Sequence, residues 1–268
     1  FIKLIKMKPS AKQNIQSFYE KIFNKETFCF VRFSDGEVEI IRNRYLKISN
    51  GVTYFRGKKS KNNFSQIDSK EFDPNINYDI RQDLILSSIS RMPNYFKGMP
   101  HKRFIKDRDL LVTLNGGLDE NITFADLLIN SNYAFFRKKI VPLICKYENV
   151  YLVANFRAKP IDILKKSKHI KIPDNFFENY QQIRDEVIRT LLHIPTGSLI
   201  LSSASSLSNI VGHEIFKIRK DITFLDVGTS INDLLSLDKI TRSYHVTYFS
   251  KGLKPFLRKL RPSFYIRW

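Results

Sequence analysis

Six short apolar runs, separated by longer stretches of helical period, constrain this chain more than any other feature. They are Phe28 to Phe33, Leu110 to Leu114, Val150 to Ala154, His169 to Ile172, Leu199 to Ser203 and Thr223 to Val227. Their length and their β-branched and aromatic content predict strands. Between several of them lie amphipathic stretches. Ser10 to Phe23 puts Ile15, Phe18 and Ile22 on one stripe, Ile76, Ile80 and Leu84 repeat every four residues, and Tyr180, Ile183, Val187 and Leu191 form another face. Apolar strands alternating with helices imply an α/β, Rossmann-like architecture, a mostly parallel sheet with helices on both faces. Ligands of such sheets sit beyond the carboxyl ends of the strands.

The chain has 268 residues, enough for one large domain, and 43% of them are hydrophobic, which excludes a disordered chain. Residues 1–250 read as that domain. Lys251 to Trp268 reads as a separate basic and aromatic tail, and Gly57 to Asn63 with the turns up to Asn77 as a long surface loop. The start at Phe1 rather than Met is expected of a fragment. Lys and Arg number 45 against 26 Asp and Glu, a formal charge of +19, so a polyanionic neighbour is expected: nucleic acid, an anionic membrane or a phosphorylated ligand. Two cysteines, Cys29 and Cys145, support neither a disulfide scaffold nor a cysteine-only zinc site and fit a reducing compartment. Cys29 reads as core. His101, His169, His193, His213 and His245 show no metal-ligand spacing and read as structural. No apolar run approaches the roughly 18 residues of a membrane span. There is no Walker lysine motif, nucleophile elbow or dinucleotide fingerprint.

The chemistry concentrates where the first run ends. Phe28 to Phe33 leads directly into Ser34-Asp35-Gly36-Glu37, and a helical pattern follows through Ile40 and Ile41. If the backbone stays extended, Asp35 and Glu37 point the same way and can share one divalent ion. If a helix starts there, both acids instead favour its dipole and can cap it. Arg157 after Val150 to Ala154 is placed either to clamp a diphosphate or to face water. Ser203 to Ser206 either leave backbone amides open to a phosphate or provide a simple N-cap. Asp226, beside Gly228, ends a strand where it either faces a ligand or caps the following loop.

Arg32-Phe33-Ser34-Asp35-Gly36-Glu37 resembles the Arg-Phe-Gly-Asp-Gly-Glu signature of the GT-D type glycosyltransferases, a small bacterial family long catalogued as a domain of unknown function. The resemblance continues in chain order over roughly residues 26 to 235. Tyr95 to Pro100 is similar to the family's Val-Gly-Ile-Pro segment, and Val150 to Arg157 to its arginine-ended strand. Ile172-Pro173-Asp174-Asn175-Phe176-Phe177 with Tyr180 is similar to its Pro-x-x-Asn-Ala-Phe-x-x-Tyr stretch, and Leu225 to Gly228 to its Asp-Ile-Gly strand end. Ser34 stands for the usual Gly, and Ser203-Ala204-Ser205-Ser206 for Gly-Pro-Thr-Ala. Thr229, Ser230 and Asn232 stand where His and acidic residues are common.

The resemblance implies a metal-dependent hexosyltransferase acting in bacterial surface polysaccharide or glycoprotein synthesis. The expected donor is a nucleoside-diphosphate sugar, a UDP-hexose, and the expected acceptor a glycan or a lipid-linked group. Asp35 and Glu37 would be the catalytic pair holding Mn²⁺ or Mg²⁺. Arg32, Phe33, Ser34, Arg157, Pro173, Asn175, Tyr180, Ser203, Ala204, Ser205, Asp226, Gly228 and Thr229 would form the donor site. A cytoplasmic enzyme is expected, its tail against the anionic inner face of the membrane, with no nucleic-acid partner. The charge leaves one alternative, a nucleic-acid-binding protein or nuclease, and the departures in the later motifs leave another, an inactive nucleotide-sugar-binding module.

Overall fold

Among the described residues, alternation along the strands builds two sheets. The protein is represented by a computed structural model, which describes residues 11–49, 52–61, 69–101, 103–237 and 242–249. In chain order the strands are β1 (Cys29–Arg32), β2 (Leu46–Ser49), β3 (Val52–Phe55), β4 (Lys58–Lys61), β5 (Lys70–Phe72), β6 (Tyr95–Met99), β7 (Ile122–Phe124), β8 (Val150–Asn155), β9 (Lys168–Ile172), β10 (Leu199–Ser203) and β11 (Thr223–Asp226). The helices are α1 (Ala11–Phe23), α2 (Asp35–Ile41), α3 (Tyr78–Ile89), α4 (Ile105–Leu114), the single turn α5 (Tyr133–Phe135), α6 (Tyr180–Leu192), α7 (Ser206–Ile218) and α8 (Ser243–Phe249).

The main sheet has seven strands in the order β7-β6-β1-β11-β10-β8-β9, and every pairing in it is parallel. β1 lies inside it, with Cys29 opposite both Tyr95 and Phe224. Period-two alternation sends Cys29, Val31 and Phe33 to one face, into a core with Ile40, Leu84, Leu111, Leu191 and Ile210 of α2, α3, α4, α6 and α7. Phe28 and Phe30 go to the other, with Ile15, Phe18 and Ile22 of α1, Phe136, Ile140, Ile231 and Tyr244. Two core layers, one on each face, are the expected Rossmann-like α/β arrangement.

Three expectations need correction. Leu110 to Leu114 is the end of α4 and not a strand; only Leu111 is fully buried, one turn after buried Asp107, so a charged residue hides the helical stripe. The segment from Gly57 to Asn77 is not one loop, because β4, β5 and the start of the region before α3 lie within it. Ile76 precedes α3 and is 78% exposed, while Ile80 and Leu84 are buried as expected. Strand β6 was legible only as a motif: Lys97 interrupts its apolar pattern. That lysine is buried, its ammonium among Ser88 O, Ser90 O and Asn115 Oδ1, where burial lowers it to about 8.

β4-β3-β2-β5 form a separate antiparallel sheet. Arg56 and Gly57, at φ of 53° and 71°, make the two-residue turn between Phe55 and Lys58. Two fastenings hold this sheet. At the hairpin tip, Arg56 reaches Asp107 of α4 at 2.6 Å and lies 3.6 Å from buried Glu39 of α2. At β5, the Glu71 N–H donates to Asn175 Oδ1 at 3.0 Å. The tail, Lys251 to Trp268, lies outside the described residues.

Gly98 shows how tightly β6 meets the following chain. A Cβ there would stand 2.9 Å from Ala125 Cα and 3.0 Å from Phe124 O, both backbone atoms that cannot swing away. Gly98→Ala is expected to lower unfolding free energy by about 1–3 kcal/mol in urea titration, with an unchanged far-ultraviolet spectrum. An unchanged midpoint would show that the approach is looser.

Candidate active site

The carboxyl ends of β1, β8, β9, β10 and β11 open on one cavity of about 800 Å³. Its floor is an ion pair between neighbouring strands. Asp226 at the end of β11 accepts from the Arg32 N–H at 3.1 Å and from Arg32 Nη2 at 3.0 Å. Asp226 also accepts from the Gly228 N–H at 3.1 Å. The two side chains are only 10% and 5% exposed. Asn209 of α7 donates to the Arg32 carbonyl at 2.8 Å, fixing the strand end from a third element. Gly228 is required by this pair: its φ is +45°, and a Cβ would stand 1.7 Å from Arg32 Nη2.

Asp35 and Glu37 stand on the first turn of α2, with Ser34 as N-cap, so the extended backbone is replaced by the helix start. Glu37 accepts from the Ser34 N–H at 2.9 Å, the carboxylate half of a capping box. This capping does not remove either acid from the cavity: Asp35 is exposed at its wall, Glu37 is 8% exposed, and both line it. Burial first, then the neighbouring Asp226 and Asp35 carboxylates, push Glu37 up to about 7.

Arg32, Ser34, Pro173, Ser203, Ala204, Ser205, Asp226, Gly228 and Thr229 also line the cavity. Ser205 has φ +54° and ψ −144°, a region that side-chain-bearing residues rarely occupy. The turn is locked from behind by Ser208, whose hydroxyl meets Ser202 Oγ at 2.8 Å and accepts from the Ala204 N–H at 3.1 Å.

Four expected site residues stand elsewhere. Phe33 is fully buried in the core. Arg157 ends on the cavity's side of the sheet but turns to Asp174 at 2.6 Å, so Asp174 and Asn155 line the cavity in its place. Asn175 joins β5 to the loop after β9. Tyr180 donates to Asp83 at 2.6 Å, which also pairs with Arg184, fastening α6 to α3.

Sequence reasoning missed two walls. One face of the small sheet presents Leu46, Ile48, Thr53, Phe55, Ser60 and Lys70 to the cavity, while Lys47 and Glu71 pair at 2.6 Å on the other face. The alternation of Tyr45-Leu46-Lys47-Ile48 and the Arg56-Gly57 turn were the available signals. The second wall is Arg103, Asn130, Arg242, Ser243 and Tyr244. Tyr244 bonds Thr229 at 2.6 Å and packs 4.9 Å from the Tyr133 ring. Its sequence signal was Tyr244 and Tyr248 at helical spacing.

No family model and no curated protein matches the chain. Solved structures do match in fold. One is described as a new glycosyltransferase, domain of unknown function 1792, from Streptococcus sanguinis; it is 14% identical with a TM-score of 0.54, covering 83% of this chain and 81% of that one. A second, described as that domain with a distinct glycosyltransferase fold, is 13% identical with a TM-score of 0.53, covering 80% and 76%. A third, a selenomethionine form of the domain, is 12% identical with a TM-score of 0.51, covering 82% and 83%. The chain therefore has the fold of these proteins.

The raised Glu37 carboxyl gives stability a pH dependence. Its native value, about 7, lies above the ordinary 4.5, so the native state holds the proton more tightly than the unfolded chain. In EDTA, this contribution is full below pH 4.5 and is lost as pH rises through 7. Glu37→Gln keeps an acceptor for the Ser34 N–H and is expected to flatten that part of the curve in denaturant titrations. An unaltered curve would place the Glu37 carboxyl in an ordinary environment.

Proposed function

We propose that the protein is a metal-dependent glycosyltransferase using a nucleoside-diphosphate sugar, with the cavity above β1 and β11 as its donor site. The observation that carries this reading is the convergence of Asp35 and Glu37 with the Ser203–Ser206 turn and the Arg32–Asp226 pair around one cavity. The fold shared with described glycosyltransferases supports it.

The first N–H groups of a helix lack intrahelical partners; α7 begins beside the cavity at Ser205, where the third of them, Ser208 N–H, bonds the Ser205 carbonyl at 2.9 Å and the earlier ones have no side-chain cap. That end suits a phosphate. Asp174 or Asn155 can hold a sugar hydroxyl from the far wall.

On the first turn of α2, residues two apart do not face each other, so Asp35 is the carboxylate placed to hold Mn²⁺ or Mg²⁺, with Glu37 beside it in the same cavity. Both carboxylates are hard oxygen donors at the wall of one cavity. Among the described residues no group of three or more His, Cys, Asp or Glu could hold a metal. One or two carboxylates completed by substrate phosphates is a common arrangement for Mg²⁺. Such an ion, when bound, neutralises the charge developing on the departing nucleotide phosphate. Asp35, exposed at the cavity wall, is placed for that ligation. Glu37, titrating near neutrality, is suited to take the proton of an acceptor hydroxyl. The acceptor is a glycan or a lipid-linked group, and a UDP-hexose is the first donor to test.

Donor turnover should fall about 10²- to 10³-fold in Asp35→Asn and in Glu37→Gln, measured as nucleotide release from a donor panel with Mn²⁺. Full activity in both variants, or in EDTA, would sink the metal-carboxylate reading. Binding is checked by melting: a nucleoside diphosphate with Mn²⁺ at about 100 times its dissociation constant should add roughly 2.7 kcal/mol. Stabilisation that survives Asp35→Asn at unchanged affinity would move the nucleotide to another place.

A further inference from the structure

The carboxyl edge of the main sheet carries a second feature beside the cavity mouth. Arg103, Phe104, Ile105 and Lys106 are four consecutive exposed residues, following β6 and opening α4. Phe104 is 45% and Ile105 55% exposed, and the Arg103 guanidinium lies 4.9 Å from the Phe104 ring centre. Across the same wall, α8 buries Tyr244 and His245 and turns Val246 outward at 56% exposure. Arg103 and Arg242 line the cavity, and the exposed Phe104, Ile105 and Lys106 follow Arg103, as Val246 follows Arg242 by one helical turn.

We propose that this rim docks on an anionic lipid bilayer and sets the cavity mouth against the headgroup layer. The apolar side chains enter the interface while Arg103, Lys106 and Arg242 meet lipid phosphates. That combination binds membranes through apolar area plus attraction to anionic headgroups. Nucleic acid fits less well, because Ile105 and Val246 are aliphatic and offer bases no stacking surface. The chain's charge of +19 draws it to the anionic leaflet. No described helix is long and apolar enough to cross a membrane, so the contact is peripheral. The proposal stands on this surface and not on the sugar-transfer reading.

The test uses the full chain and vesicles of phosphatidylcholine with or without phosphatidylglycerol. A polarity-sensitive dye is placed at Ile105→Cys in a Cys145→Ser background; the other cysteine, Cys29, is buried. A control dye sits at Ile218→Cys, which is 64% exposed at the far end of α7. Anionic vesicles should blue-shift the Ile105 dye and leave the Ile218 dye unchanged. Phe104→Ser with Ile105→Ser should weaken partitioning about tenfold at unchanged melting temperature. An unshifted Ile105 dye on vesicle-bound protein, or no binding to anionic vesicles, would overturn the proposal. Binding that the double variant leaves intact but removal of residues 251–268 abolishes would assign the membrane contact to the tail instead.

Discussion

The buried pair between Arg32 and Asp226 is the interaction on which the site depends. It joins the carboxyl ends of two neighbouring inner strands, β1 and β11, and uses the Arg32 backbone as well as its guanidinium. Taking both charges out of water carries a large desolvation cost, so such a pair persists only with good geometry and further hydrogen bonds. The backbone N–H groups of Gly228 and Arg32 supply those bonds to Asp226, while Asn209 holds the Arg32 carbonyl. The pair also sets the electrostatics above it. Asp226 stays close enough to push the Glu37 carboxyl up, and Ser34, the N-cap of α2, stands two residues beyond Arg32. Removing either partner would strand a buried charge, a loss of about 3–5 kcal/mol.

Topology explains why so few residues make so crowded a site. Each of the five strands β1, β8, β9, β10 and β11 delivers its next residues to the same edge, because all run parallel. A parallel sheet gathers distant sequence without any long loop. What covers the site is local in origin: a hairpin sheet inserted between α2 and α3, and a short helix after β11. The inserted sheet is fastened through Arg56 to Glu39 and Asp107 and through Asn175 to Glu71, so its apolar face is held over the cavity from both sides.

The main sheet was legible because its inner strands are apolar on both faces. Five of the six runs read as strands are strands, with boundaries shifted by a residue or two. The failures have physical causes. β6 hides a lysine whose charge is satisfied by helix-end carbonyls, and α4 buries Asp107 in an ion-pair cluster. The small sheet has strands of three or four residues with a basic outer face, so its period is short and its composition resembles that of a loop. Of the expected site residues, those within or directly after the strand ends reached the cavity wall, except Phe33, which the strand's alternation turns into the core. Asn175 and Tyr180, farther along the chain, became fasteners. Sequence separation from a strand end was the information the motif pattern lacked.

In the proposed site, the carboxylates of α2 and the start of α7 hold one nucleotide with one metal ion. Crystals grown with Mn²⁺ and a nucleoside diphosphate, measured for anomalous scattering at the manganese edge, test it most directly. The account predicts a single manganese peak between the Asp35 carboxylate and the diphosphate, with a phosphate at the Ser205 turn. A nucleotide bound outside this cavity, or one bound in it with no manganese near Asp35 or Glu37, would contradict it.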